Sequence, residues 1–196
     1  MTGSTAISAV ILAGGQGRRM GSVDKGLVEL RGKPMVEWVL ERLRPQVDEV
    51  LINANQNLDR YREFGVPVFS DDIGGFAGPL AGLHAGLGHA AHPLVVTAPC
   101  DSPFLPTDLV SRLADALDAA GADLAVAKTF TQAHPVFCLC RREVLPHLDA
   151  FLSAGGRKID RWYETLKVVS VQFDDQEAAF SNINTREELG EFDTDG

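Results

Sequence analysis

Between residues 7 and 127, short apolar runs rich in β-branched residues alternate with stretches of helical spacing, and this alternation limits the fold more than any other feature. Near-continuous apolar runs read as strands covered on both faces. They predict strands at 7–12, 47–53, 66–69, 94–98 and 124–127, with helices at 35–43, 58–64, 80–91 and 106–120. Strands joined by helices of this length need crossover connections, which produce a mainly parallel sheet with helices on both faces. Residues 136–140 and 168–173 read as further strands, and an antiparallel partner within a mixed sheet suits them. A helix over 186–192 follows, with Thr185 and Glu188 spaced as a capping box. The fold class is α/β. With 196 residues, 45% hydrophobic and 23% charged, the chain supplies one ordinary core, so a single domain over 1–196 is expected, with 1–6 a flexible lead-in.

Several function classes are excluded at this level. The longest apolar runs, near 9–13 and 94–98, fall far short of the roughly 20 residues that span a bilayer. The first residues lack both the basic start and the apolar stretch of a secretory signal, so export and membrane attachment are not expected. A net charge of −9 argues against a nucleic-acid binder, which needs a surplus of Lys and Arg. Cys100, Cys138 and Cys140 are an odd set without disulfide or zinc spacing, which fits a reducing cytoplasm. Cys138 and Cys140 share one face of a strand and read as small buried hydrophobes rather than as metal ligands with His134.

Open α/β sheets bind ligands beyond the carboxyl ends of their strands. Four segments fall there: the loop after Leu12, Asn53 with its neighbours, Asp71 with the glycines after it, and Asp101 just past the fourth strand. The first, Leu12-Ala13-Gly14-Gly15-Gln16-Gly17-Arg18-Arg19-Met20-Gly21, leaves a strand directly. Its glycines bring bare N–H groups close to an anion, a phosphate cradle. Arg18, Arg19, Lys25, Arg31 and Lys33 face only Asp24 and Glu29 nearby, a local excess of +3 on an acidic chain. No Walker A sequence occurs, and Met20 takes the third glycine position of a dinucleotide fingerprint. A glycine-rich loop with paired Arg and a downstream Lys25 can offer several fixed cations to a triphosphate, the alternative being a solvated basic loop.

These motifs carry a resemblance. The loop 12–21, Asp24-Lys25-Gly26 and Gly32-Lys33-Pro34 look like the signature of nucleotidyltransferases, and the Asp-Lys-Gly form resembles the molybdenum cofactor guanylyltransferases. It continues through Asp71, Gly78-Pro79-Leu80-Ala81-Gly82, Cys100-Asp101-Ser102-Pro103, His134-Pro135-Val136-Phe137 and Asn182-Ile183-Asn184-Thr185, so nearly the whole chain is covered. The first motif is shared with sugar-nucleotide pyrophosphorylases and cytidylyltransferases; Gly15 points to the guanylyl branch. The resemblance implies a Rossmann-like three-layer domain with a mainly parallel, mixed sheet of the nucleotide-diphospho-sugar transferase type.

It also implies roles. Leu12, Ala13, Gly14 and Gly15 would contact GTP, Lys25 and Arg19 would neutralise its phosphates, and Asn53 and Asp71 would serve the nucleoside end. A carboxylate suits guanine, since it accepts from both the ring N–H and the exocyclic amine, although Asp71 could equally anchor a loop turn. Asp101 would hold Mg2+ just past a hydrophobic strand and between Pro99 and Pro103; the alternative is a helix cap near Ser102. Gly78, Gly82, Arg157, Asn182 and Asn184 would meet molybdopterin, although Pro79 also starts helices in general, Asn is a common turn residue, and a surface turn explains Arg157. His134 reads most simply as a structural donor.

The implied reaction is attack by the terminal phosphate of molybdopterin on the α-phosphorus of GTP, with release of pyrophosphate. No activated Ser, Cys or His constellation is visible, and a site of glycines, cations and one metal suits direct transfer. The alternatives are a cytidylyltransferase acting on molybdopterin, a sugar-phosphate nucleotidyltransferase, or a module that binds GTP without turning it over. GTP and molybdopterin are the expected partners, with room for transient contact with molybdoenzyme maturation proteins.

Overall fold

The computed structural model describes residues 5–15, 23–74, 78–183 and 186–194. In chain order the strands are β1 (Ile7–Leu12), β2 (Glu29–Leu30), β3 (Lys33–Pro34), β4 (Glu49–Asn53), β5 (Val68–Phe69), β6 (Leu94–Pro99), β7 (Leu124–Thr129), β8 (Gln132–Arg141) and β9 (Val168–Gln172). The helices are α1 (Met35–Leu43), α2 (Leu58–Arg62), α3 (Pro79–His89), α4 (Leu109–Ala120), α5 (Leu145–Ser153), α6 (Ile159–Tyr163) and α7 (Arg186–Thr194). Residues 1–4, and with them most of the expected lead-in, lie outside the described residues, as does Thr185 of the capping box.

Seven strands form one sheet in the order β5-β4-β1-β6-β8-β7-β9, while β2 and β3 pair separately. β4 and β6 run parallel to β1, β5 to β4 and β9 to β7. β8 alone runs against its neighbours, β6 and β7. The expected α/β class with a mixed sheet therefore holds. Alternate β1 residues feed opposite layers, as strand geometry requires. Ala9 and Ile11 pack with Val39 and Leu43 of α1 and Leu113 and Leu117 of α4. Val10 packs on the other side with Leu80 and Leu83 of α3, Leu148 of α5 and Trp162 of α6, where Cys138 and Cys140 are also buried.

Some boundaries differ from the sequence expectation. β5 starts at Val68 rather than 66, because Pro67 has no N–H to give to the ladder and contributes only its carbonyl, to Ile52. α4 starts at Leu109 rather than 106, after a turn in which Leu109 N–H bonds the Pro106 carbonyl. β8 is longer than the expected 136–140 and carries an irregularity: partners jump from Val126–Cys138 to Ala127–His134, so residues 135–137 bulge. Pro135 sits within that bulge, where a missing N–H costs least. The turn Arg31-Gly32 between β2 and β3 has both φ values positive, 52° and 74°, as a two-residue type I′ hairpin requires. Residues 142–166, without an assignment from sequence, hold α5 and α6.

α3 lies unusually close to the sheet. A Cβ on Gly86 would come within 2.9 Å of Val10 Cγ2, and one on Gly82 within 2.6 Å of Asn53 Oδ1. Val10 is fully buried and β-branched, so it has no free rotamer with which to yield. Gly86→Ala is expected to lower stability by about 1–3 kcal/mol despite Ala's better helix propensity. In urea unfolding, the double variant Gly86→Ala, Val10→Ala should lose less than the sum of the two single losses.

Candidate active site

The cavity follows from strand register. Leu12 stands opposite Asn53 on one side and Pro99 on the other, so β1, β4 and β6 end level. The chain leaves β1 toward β4 and β5 and returns on the far side at β6, which makes the β1/β6 boundary a topological switch point, where ligands bind in open α/β sheets. A cavity of about 900 Å3 opens there. Leu12, Ala13, Gly14, Gly15, Lys25, Asn53, Asp71, Gly78, Gly82 and Asp101 all line it. Asn55, Gln56 and Ile73, which the sequence reading does not name, line it too, as does Val136 of the His134–Phe137 motif.

The glycine turn presents bare backbone. Ala13 N–H is committed to the Asn53 carbonyl and the Leu12 carbonyl to Cys100 N–H, whereas the N–H groups of Gly14 and Gly15 have no partner among the described residues. The anion-facing donors therefore begin one residue beyond Ala13. A Cβ on Gly14 would approach Asn55 Nδ2 to 2.7 Å, so this position is closed to any side chain as β4's loop stands.

Lys25 and Asp101 meet across the cavity floor, Nζ to Oδ2 at 3.2 Å, with Asp101's side chain only 11% exposed. Asp101 does not cap a helix: the residue at the start of α4 is Asp108. Its carbonyl accepts from Ile183 N–H, and Ser102 Oγ donates to Asn182 Oδ1, which binds residues 182–183 to the end of β6. Asn182 thus supports the Asp101 segment without lining the cavity. One nearly buried carboxylate, its Oδ1 without a partner among the described residues, fits a Mg2+ completed by substrate phosphates, since Mg2+ takes one or two carboxylates rather than a full protein cage. Among the described residues there is no group of three or more His, Cys, Asp and Glu suited to a metal.

Lys25 is held from behind. Asp24, 6% exposed, accepts from the Tyr61 hydroxyl and from Asn57 Nδ2 at 3.0 Å. Burial, with the charges beside it, pushes the Tyr61 phenol far up, so it stays a neutral donor. Cys100, beside Asp101, is likewise pushed well above the usual thiol range by burial and by Asp101's charge. Its thiol stays protonated and is no nucleophile.

At the opposite end, Asp71 is flanked by amides. Asn53 Nδ2 donates to Oδ1 at 2.8 Å and Asn55 Nδ2 to Oδ2 at 2.9 Å. Arg157 does not join the site: its guanidinium donates to the carbonyls of Leu152 and Gly156 at the end of α5. His134 is structural in its contacts, stacked on Phe180 and bonded to Thr129. Arg19 and Asn184 lie outside the described residues.

A sheet between two helical layers, with a glycine turn, a lysine–carboxylate pair and a second polar corner at the switch point, defines a nucleotidyltransferase-type domain. Residues 9–168 match the MobA-like NTP transferase domain. The chain belongs to that family. It is 54% identical over 193 residues to a molybdenum cofactor guanylyltransferase of Cupriavidus necator, with 96% of each chain covered. It is 51% identical over 189 residues to one of Shewanella putrefaciens, covering 96% of this chain and 97% of that protein. Among solved structures, molybdopterin-guanine dinucleotide biosynthesis protein A of Archaeoglobus fulgidus superposes with a TM-score of 0.77 at 27% identity, covering 95% of this chain and 96% of that one.

The latch behind Lys25 is testable by removal of one oxygen. Tyr61→Phe keeps the ring but leaves a buried carboxylate short of a donor, and should cost about 1–3 kcal/mol in chemical denaturation.

Proposed function

We propose that the chain is a molybdenum cofactor guanylyltransferase, which transfers GMP from GTP to molybdopterin and releases pyrophosphate. The observation that carries this is the convergence on one cavity of two bare glycine N–H groups, the Lys25–Asp101 pair and the Asn-flanked carboxylate of Asp71. Together these match three features of a nucleoside triphosphate with its divalent counter-ion: the phosphates, the ion and the base. Relatives that carry this activity in their names, at 51–54% identity, support the same reading.

Gly14, Gly15 and Lys25 would bind the phosphates, with Arg19 as a further cation, while Leu12 and Ala13 would form the wall beside them. Lys25, which Asp101 now neutralises, gains a stronger partner when a triphosphate enters. Asp101 would hold Mg2+. Bound there with substrate phosphate oxygens, the ion would offset charge that builds on the transferring group. Asn53 and Asp71 would hold the guanine end. Gly78 and the exposed backbone at the start of α3 would face the acceptor phosphate, with Gly82 keeping that helix tight against β4 and Asn182 bracing the Asp101 segment. Asn184 would contribute a contact to molybdopterin. The protein's part is then alignment and charge neutralisation, with no covalent intermediate.

Three buried free cysteines suit a reducing compartment such as the cytoplasm, and among the described residues no helix is long and apolar enough to cross a membrane.

Pyrophosphate release with each NTP, with and without molybdopterin, tests class and base together. GTP with molybdopterin should be the productive pair; turnover with CTP instead would replace the guanylyl assignment. Asp101→Asn should nearly abolish turnover with little change in melting temperature, because Asn keeps the shape but not the charge that holds a divalent ion. Near-normal turnover of this variant at low magnesium would remove the metal role. Lys25→Ala should weaken GTP and GDP alike, by roughly tenfold to over a hundredfold in calorimetry, the loss of one charge-assisted contact.

A further inference from the structure

We infer that Asn55 is a positioning residue for base selection, and that it acts by fixing Asp71 so that both carboxylate oxygens face the nucleobase at once. The inference rests on the guanylyl reading above and extends it to a residue that makes no part of the phosphate chemistry. Asn55 touches Asp71 at two points. Its Nδ2 donates to Asp71 Oδ2 and its Oδ1 accepts from Asp71 N–H, both at 2.9 Å. This pair closes a ring between residue 55, just past β4, and residue 71, just past β5, and continues the β4–β5 pairing beyond Asn53–Phe69. With Asn53 on Oδ1, each carboxylate oxygen carries one fixed donor and keeps lone-pair capacity for one more.

The arrangement selects by donor pattern. Guanine offers two adjacent donors on one edge, the ring N1–H and the 2-amino group, which meet a carboxylate whose two oxygens are held in one plane. Adenine and cytosine each offer one exocyclic amine beside a ring nitrogen that accepts, and that acceptor would face a carboxylate oxygen. A carboxylate free to rotate could turn one oxygen away and accept these bases. One held through both oxygens and its own backbone N–H cannot. Asn55 also lies against Gly14, where no Cβ would fit, so the same amide fixes the spacing between base corner and phosphate turn.

Asn55 is exposed, so its truncation leaves the core intact. The readout is the ratio of kcat/KM for GTP to that for ITP, which differs from GTP only in lacking the 2-amino group. Asn55→Ala and Asn55→Asp should each lower this ratio at least about tenfold, chiefly through a raised KM for GTP, with kcat changed less than about threefold. The Asp variant, which sets one carboxylate against another, should lose more. Equal losses for GTP and ITP, or wild-type ratios in both variants, would overturn the role of Asn55 alone. A wild-type protein that does not distinguish GTP from ITP would overturn the guanine reading and this inference with it.

Discussion

The site depends on one constraint, the in-register pairing of β1 between two parallel neighbours. Because Leu12 faces both Asn53 and Pro99, three strands release their chains at one level. A shift of one residue in either pair would carry Asn53 or Asp101 to the other face of the sheet, since side chains alternate with period two. The hydrophobic runs of β1 and β6, packed on both faces, fix that register, and so hold polar groups in place a few residues later. Core packing here is the means by which a lysine from one loop meets a carboxylate from another.

Around this frame the polar residues act in pairs rather than singly. Asp24 is committed to Tyr61 and Asn57, Asp71 to Asn53 and Asn55, and Asp101 to Lys25. A buried or half-buried carboxylate with fixed donors cannot rotate without leaving one of them unpaired, which is costly in a low-dielectric setting. The loops at the carboxyl ends thus gain an order that their sequence of small residues would not supply.

Much of this was legible in the residues. The alternation of strands and helices predicts the parallel part of the sheet, and Asp101 and the glycine turn are found by their position after apolar runs. The cysteine pair on β8 follows from period-two alternation. What escapes is whatever depends on long-range partners. Tyr61 reads as one aromatic on a short helix, and only the fold brings Asp24, 37 positions earlier in the chain, against its hydroxyl. Asn55 is one of several asparagines in a loop until β5 brings Asp71 beside it. The bulge at 135–137 has a local sign in Pro135, but its effect, the entry of Val136 into the cavity wall, needs β6 and α6 in position.

That bulge is suspended from two sides. Thr97 of β6 donates its hydroxyl to the Val136 carbonyl, and Tyr163 of α6 donates to the carbonyl of Pro135. None of these four residues takes part in the turn at Gly14 and Gly15 or in the corner at Asp71. One wall of the cavity is therefore hung in part from α6, whose Tyr163 lies outside both the glycine turn and the Asp71 corner. Such a layout is modular: exchange of residues in α6 can reshape that wall while the glycine turn, the Lys25–Asp101 pair and the asparagine ring stay as they are. In such an architecture the shape of one wall is separable from the groups gathered at the glycine turn and at Asp71.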